Sequence, residues 1–268
     1  MIDLCSHFGF HTLPFTREIA VDKRLEHPQF TDALTALERV VDHRMSAALI
    51  APAGTGKTAL LRALLHRLPA ARYRTHYVKV TDLSKRDLCR EIATAVGTAP
   101  AGSYPMLVRR LQEHFMTALD TDGLRCVMVL DEAHDVRPDV LGMIRILTNF
   151  EMDSRLVVSV ILAGQPALRT LLRRDALVDV ARRLAHVATL SPLGREDITH
   201  YVKHRANIAG ATTFPFDARA LDALFEIGRG NLRATDRLAL TALEVAAEGE
   251  HEIVDGTHIA EARTRVIA

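Results

Sequence analysis

Apolar positions along the chain follow two alternating patterns. Short apolar runs at 47–51, 76–80, 126–131, 157–163 and 186–190 read as strands. Val127-Met128-Val129-Leu130 and Val157-Val158-Ser159-Val160-Ile161-Leu162 are almost unbroken, as expected of central parallel strands covered on both faces. Between these runs apolar residues recur at helical spacing. Leu60, Leu61, Leu64, Leu65 and Leu68 follow the first strand. Ser84 is placed to cap a helix with Leu88, Ile92 and Val96 on one face, ended by Gly97. Ser103 is placed to cap another, carrying Leu107, Leu111, Phe115 and Leu119. A third starts at Pro138 and carries Val140, Leu141, Ile144 and Leu147. Strands spaced by helices predict a five-stranded parallel sheet with helices on both faces. After Ser191-Pro192 the strands stop, and helical patterns follow at 194–209, 217–228 and 231–248, with a short one from 256. The expected fold is therefore α/β over 1–191, then a small all-helical domain over 192–268.

Composition adds exclusions. The 268 residues are 48% apolar, enough for one large domain and a small one. No apolar stretch approaches the roughly 18 residues of a membrane span. The start, Met1 to His11, lacks the basic flank and apolar core of a signal peptide. A cytoplasmic protein with no membrane partner is expected. Cys5, Cys89 and Cys126 lie far apart without metal-type spacing and read as reduced thiols. The 13 His residues form no His-x-x-x-His pair near carboxylates, so zinc is not expected.

Net charge is only +1, but it is unevenly spread. Residues 62–90 hold eight Lys/Arg against two Asp, while 244–261 hold six acids and no Lys/Arg. Single charge runs are usually solvated faces. The sharper reading is a surface for a nucleic-acid backbone.

The chemistry concentrates in two places. Ala51-Pro52-Ala53-Gly54-Thr55-Gly56-Lys57-Thr58 follows the first strand and opens a helix. This arrangement holds a nucleoside triphosphate, because backbone N–H groups of the turn and helix start bind phosphate oxygens. Pro52 to Ala59 are the expected ATP contacts. Lys57 reaches the β- and γ-phosphates, and Thr58 offers its hydroxyl to Mg²⁺. Ala51 stands where Gly is usual, which is tolerable if that position needs no positive φ. Downstream, Asp131 and Glu132 close the 126–131 strand, at the carboxyl end where ligands bind in such sheets. Asp131 fits a Mg²⁺ partner, and Glu132 fits a group that polarises the attacking water. ATP and Mg²⁺ are the expected cofactors. Asp131-Glu132-Ala133-His134 also spells a helicase box, but the chain is too short for two helicase lobes, and His134 reads as incidental.

On these residues the chain resembles the AAA+ ATPases over nearly its whole length. The resemblance implies a P-loop AAA+ core followed by a helical lid, self-associating into a ring or helical filament. It also implies further roles. Gln165, at the tip of the strand after the Asp-Glu strand, takes the sensor position, where Asn, Thr or Ser are commoner. Arg233, in Gly230-Asn231-Leu232-Arg233, takes the second-sensor position and contacts ATP. Arg182 or Arg183, just before the last strand, is the arginine that reaches a neighbour's γ-phosphate, Arg183 being favoured.

A narrower resemblance rests on His7-Phe8-Gly9-Phe10-His11-Thr12-Leu13-Pro14-Phe15, Leu147-Thr148-Asn149-Phe150-Glu151-Met152-Asp153-Ser154 and Gly164-Gln165-Pro166. These look like the ExeA-like ATPases and their TnsC/TniB/IstB relatives. The resemblance implies an ATP-dependent regulator of DNA transposition. Such a regulator oligomerises on double-stranded DNA, recruits a transposase and a target-selection protein, and disassembles on hydrolysis. On that reading Lys79, Lys85, Arg86 and Arg90 track one phosphate backbone, with Arg86 and Arg90 on one side of a helix. The ExeA branch carries a transmembrane segment and an outer domain, and the lack of both here favours the transposition group. The alternatives are a soluble ExeA-like ATPase with a protein client and no DNA role, and a module that holds ATP without turnover. Glu132 argues against the last.

Overall fold

The structure, a computed structural model, describes residues 3–267. In chain order its elements are α1 (Leu4–Phe8), α2 (Pro28–Asp42), β1 (Ser46–Ile50), α3 (Lys57–Arg67), β2 (Tyr73–Lys79), α4 (Lys85–Ala95), α5 (Tyr104–Asp120) and β3 (Arg125–Asp131). Next come α6 (Pro138–Leu141), α7 (Met143–Leu147), β4 (Val158–Gly164), α8 (Ala167–Leu172), α9 (Val178–Ala181) and β5 (Leu184–Thr189). The last helices are α10 (Arg195–Ile208), α11 (Ala218–Gly228), α12 (Leu232–Glu248) and α13 (Gly256–Ile267). The chain forms two compact units. One comprises 27–52 and 57–190; the other gathers residues up to 26, 53–56, and from 191 onward.

The larger unit is built on the five-stranded sheet, in the order β2-β3-β4-β1-β5, and every pairing is parallel. β1 and β4 are buried along their whole length, and β3 from its second residue. Their unbroken apolar runs reflect that both faces are covered. β2 lies at an edge and alternates, with His76 and Val78 buried and Thr75, Tyr77 and Lys79 exposed. Its first turn of polar residues explains why the apolar pattern alone starts it three residues late. Leu88 and Ile92 of α4 and Leu107, Leu111 and Phe115 of α5 pack in one core with Met128, Leu130 and Val160 of the sheet. Each such fully buried side chain contributes about 2 kcal/mol.

Local signals place the helices. Ser84 caps α4 by accepting the Asp87 N–H at 3.2 Å, and α4 gives way to Gly97 at φ +77°. Ser103 precedes α5 but its side chain makes no capping bond; a proline in the first turn starts that helix. The single helix expected from Pro138 is instead two short ones meeting at Gly142.

The smaller unit is helical. Ile198, Val202, Leu238, Leu243 and Ile259 form its core together with Leu4, Phe8, Phe10 and Phe15 of the opening segment. That segment, grouped by sequence with 1–191, thus packs among the helices of 191 onward. A buried polar network fastens it. Arg205, 5% exposed, donates to Asp236 at 3.0 Å and Tyr201 Oη at 2.8 Å, and to the Thr16 carbonyl at 2.6 Å. Burial outweighs the Arg205 charge and pushes the Asp236 carboxyl up to about 6. The folded chain therefore holds this proton more tightly than the unfolded one. This group's contribution to stability is present at acid pH and is lost as pH rises through about 6.

Gly230 joins α11 to α12 at φ +73°, and its carbonyl accepts the Leu193 N–H at 3.0 Å. A Cβ there would run into the Leu193 backbone. Gly230→Ala should lower the unfolding free energy of the helical unit by about 2 kcal/mol or more. Urea unfolding followed by circular dichroism checks this; an unchanged midpoint would mean the junction re-routes freely.

Candidate functional site

The phosphate-loop sequence begins where β1 ends. Ala51 continues the ladder, donating its N–H to the Gly164 carbonyl at 3.0 Å. It is fully buried and is not among the left-handed residues, so this position does not require Gly. Gly54 and Gly56 do adopt left-handed φ, +79° and +96°. Such alternation turns successive N–H groups inward as an anion nest. α3 starts at Lys57, and Thr58 and Ala59 lie in its first turn.

In the sheet unit Lys57 is 7% exposed, and its ammonium pairs with Asp131 Oδ1 and with Glu132 Oε1 at 2.5 Å. Glu132 sits in the left-handed region, φ +61° and ψ +30°. This bends the chain as β3 ends and lets adjacent acids converge on one cation. Such backbone is costly for a non-glycine residue and is held only where surroundings enforce it. The Glu132 N–H donates to Asp131 Oδ1 at 2.8 Å, and the Tyr77 hydroxyl donates to Asp131 Oδ2 at 2.9 Å. Burial first, then the Asp131 charge, holds the Tyr77 phenol well above its usual range. Tyr77 therefore stays protonated and keeps donating.

Gln165 follows β4 directly, and its backbone N–H donates to His134 Nδ1 at 3.4 Å. His134 is far from incidental in position: its side chain is 9% exposed, 3.5 Å from Glu132 Oε2 and 3.5 Å from Asp135 Oδ1. Tyr77 escapes pattern reasoning because it stands neither in the loop nor at the strand tip; His134, read from the sequence as incidental, stands just past the end of β3. The alternation of β2 is the only sequence signal that turns Tyr77 toward the Asp131 side.

In the helical unit Asn231 caps α12, its Oδ1 accepting the Ala234 N–H at 3.0 Å. Its Nδ2 donates to the Ala53 carbonyl at 2.6 Å, and the Arg233 N–H donates to the Gly54 carbonyl at 3.2 Å. Asn231 was another omission, although a Gly-Asn step before a helix signals a cap. The Arg233 side chain is exposed.

The other expected residues lie elsewhere. Arg183 makes a two-pronged pair with Asp153, its Nη2 2.6 Å from Oδ2. Arg182 is exposed at the end of α9. Lys79, Lys85, Arg86 and Arg90 are all exposed. Lys85 lies 3.8 Å from Asp139, Arg90 lies 3.8 Å from Asp87, and Arg86 Nε donates to the Gly102 carbonyl at 3.1 Å. As expected, Leu88, Ile92 and Val96 form the buried side of α4.

The donor set suits a nucleoside triphosphate with Mg²⁺. Within the sheet unit it offers a cation for phosphate and the oxygen donors Thr58 and Asp131 that a hard divalent cation takes. Residues 39–172 match the family model described as an AAA domain. The chain belongs to the AAA domain family.

This AAA chain is 34% identical to General secretion pathway protein A of Aeromonas hydrophila over 206 residues, 76% of the chain and 37% of that protein. It is 21% identical to the replication factor C small subunit of Aeropyrum pernix over 196 residues, 73% of the chain and 50% of that protein. The chain thus spans half or less of the curated relatives it matches. Among solved structures, Cdc6p from Pyrobaculum aerophilum superposes with a TM-score of 0.74 at 20% identity, covering 99% of this chain and 71% of that one. The Aeropyrum pernix ORC1 protein in complex with DNA gives 0.73 at 20% identity, covering 96% and 70%. The RuvB branch-migration motor of Thermotoga maritima gives 0.63 at 15%, covering 94% and 73%. These likenesses establish the P-loop AAA+ fold.

Two outcomes follow from the charge arrangement. Lys57→Ala leaves the nearly buried Asp131 beside Glu132 with no cation, and should cost about 3 kcal/mol in the absence of nucleotide. Chemical denaturation reads this directly, and an unchanged midpoint would mean the acids find solvent instead. Tyr77→Phe removes one donor from Asp131. It should raise the Mg²⁺ concentration needed for half-maximal nucleotide binding about tenfold with little change in melting temperature. An unaltered Mg²⁺ requirement would rule out this positioning role.

Proposed function

We propose that the chain is a Mg²⁺-dependent ATPase that self-associates in ATP and acts, ExeA-like, on a protein client in secretion or assembly. The ATPase half of this reading is carried by the Lys57 ammonium meeting Asp131 and Glu132 beside a glycine-rich loop. Backbone N–H groups of Ala53 to Thr58 and the first turn at Ala59 cradle the phosphates, with Pro52 leading into the turn, while Lys57 shifts from carboxylate to phosphate. Bound Mg²⁺, held by Thr58 and Asp131, would supply charge neutralisation at the β- and γ-phosphates. Glu132 takes the proton of the attacking water, Gln165 orients near it, and Arg233 reads the nucleotide from the lid. Arg183, or Arg182, serves a neighbour's site, where a guanidinium stabilises charge on the γ-phosphate.

The client half is supported by the 34% identity to General secretion pathway protein A. The lack of a membrane segment does not count against this reading, because the chain spans 37% of that relative. Among the described residues no helix is long and apolar enough to cross a membrane.

A second reading, a regulator of DNA transposition with a transposase and a target-selection protein as partners, rests on the exposed Lys79, Lys85, Arg86 and Arg90. No relative named above is a transposition protein. Three of these cations already have local partners, but such surface pairs are weak and a polyanion displaces them readily.

Glu132→Gln should keep ATP binding and lower hydrolysis a hundredfold or more, since the amide is no base; equal turnover would remove Glu132 from the reaction. Duplex-DNA binding in a non-hydrolysable ATP analogue separates the two readings. The protein-client reading expects none. The DNA reading expects salt-sensitive binding lost in Lys85→Ala/Arg86→Ala/Arg90→Ala.

A further inference from the structure

The acidic run at 244–261 has no part in the proposed reaction, and it contains two histidines whose rings meet. After α12 the chain turns sharply. Glu250 takes the left-handed region, φ +57°. Its N–H donates to the Ala247 carbonyl at 3.0 Å, and the His251 N–H donates to the Ala246 carbonyl at 2.8 Å. The His7 ring, from α1, donates its Nε2 hydrogen to the His251 carbonyl at 2.9 Å. His251 is thereby held against the start of α13, where His258 is buried. The ring centroids are 4.9 Å apart, and His258 Nε2 stands 3.0 Å from His251 Nδ1. Six residues separate the two in the chain. That spacing matches no metal motif, so pattern reasoning passes over the pair.

The hydrogen bonds fix which nitrogen carries which hydrogen. The Asp255 N–H donates to His258 Nδ1 at 3.0 Å, so the hydrogen of that ring is on Nε2 and points at His251 Nδ1. One hydrogen thus holds two ring nitrogens face to face, and a metal ion can take its place. Two imidazole nitrogens on one ion stand roughly 3 to 3.4 Å apart, given bonds of about 2 Å, which is close to the separation here. The displaced hydrogen has a destination. On Nδ1 it meets Asp255 Oδ1, 2.8 Å away. A carboxylate that accepts the second ring N–H is the support that metal-bound histidines commonly have. Asp255 is itself fixed, its Oδ1 accepting the Thr257 N–H at 2.9 Å and the Thr257 hydroxyl at 2.6 Å.

The His251 ring is exposed, so an ion arrives from solvent on that side and water completes its coordination. The surrounding charge favours a cation. Arg265 takes Glu248 and Glu261, whereas Glu250 and Glu252, flanking His251, are exposed and form no ion pair among the described residues. Uncompensated acids beside a site raise the local concentration of cations. Two imidazoles suit Cu²⁺, Ni²⁺ or Zn²⁺, whereas Mg²⁺ and Ca²⁺ take oxygen.

We infer that His251 and His258 bind one divalent transition-metal ion, with Asp255 as the acceptor behind His258. The ion cross-links the turn after α12 to the start of α13, and the His7 bond extends that brace to α1.

The protein, free of nucleotide and of any added histidine tag, is titrated with Cu²⁺ and with Zn²⁺ by calorimetry. One ion per chain is expected, with Cu²⁺ binding more tightly than Zn²⁺, and either ion should raise the melting temperature. His251→Gln and His258→Gln should each weaken binding about tenfold or more and abolish the thermal shift. His258→Gln keeps a side-chain acceptor for the Asp255 N–H, as in a capping box, and His251 is exposed, so both variants should melt normally without metal. Electron paramagnetic resonance of the Cu²⁺-loaded parent should show two nitrogen ligands, and of each variant one. Equal binding by the parent and both variants would overturn the inference. So would no binding by the parent, which would leave the pair a hydrogen bond alone. Loss of binding in His134→Gln but in neither of these variants would assign the ion to Glu132, His134 and Asp135, whose donor atoms also converge, and would equally overturn it.

Discussion

One nearly buried ammonium faces two carboxylates, and much of the site is organised around keeping that cluster balanced. Lys57 at the start of α3 meets Asp131 and Glu132 at the end of β3. Taking such charges out of water is expensive unless each is paired and hydrogen-bonded. The neighbouring features follow from that need. Glu132 adopts left-handed backbone so that adjacent acids reach the same cation. Tyr77 donates to the Asp131 oxygen that Lys57 leaves open. A cluster poised in this way can exchange partners without reorganising: phosphate for carboxylate at Lys57, and a divalent cation for the ammonium at Asp131.

The same chemistry recurs at the opposite end of the sheet with the partners reversed in exposure. There, arginines stay partly solvated and single aspartates hold them. The difference has a physical consequence. The Lys57 ammonium and Asp131 are nearly buried, so removing one partner leaves a charge uncompensated and disturbs the fold as well as the chemistry. The arginine pairs are partly solvated, and such pairs are weak, so losing one costs the fold little.

Most of this fold is legible in the amino-acid order, and the reasons are local. β1, β3 and β4 announce themselves because strands covered on both faces need unbroken apolar runs. The helices after 191 match their apolar periods to within a residue or two at most ends. The failures are equally physical. Tyr73 to Thr75 of β2 hide because an edge strand tolerates polar residues. The break at Gly142 hides because apolar spacing continues across it. At the site, Lys57, Asp131 and Glu132 stand at fixed offsets from a glycine turn and a strand end, so spacing finds them. The bonds of Tyr77 to Asp131, of His134 to Gln165 and of Asn231 to Ala53 form only through tertiary packing, which no local pattern encodes. The same holds for Asp153 and Asp179, whose value lies wholly in which arginine they touch.

The packing of Phe8, Phe10 and Phe15 among helices that begin nearly two hundred residues later bears on how the protein is made. These aromatics are synthesised well before their partners. Every strand of the sheet is synthesised in between, so the sheet unit can collapse while the opening segment still has no core to enter. Contacts closed across such a span form slowly, and apolar groups left waiting are where chains aggregate or recruit chaperones. These aromatics, made before the sheet, find their core only after it.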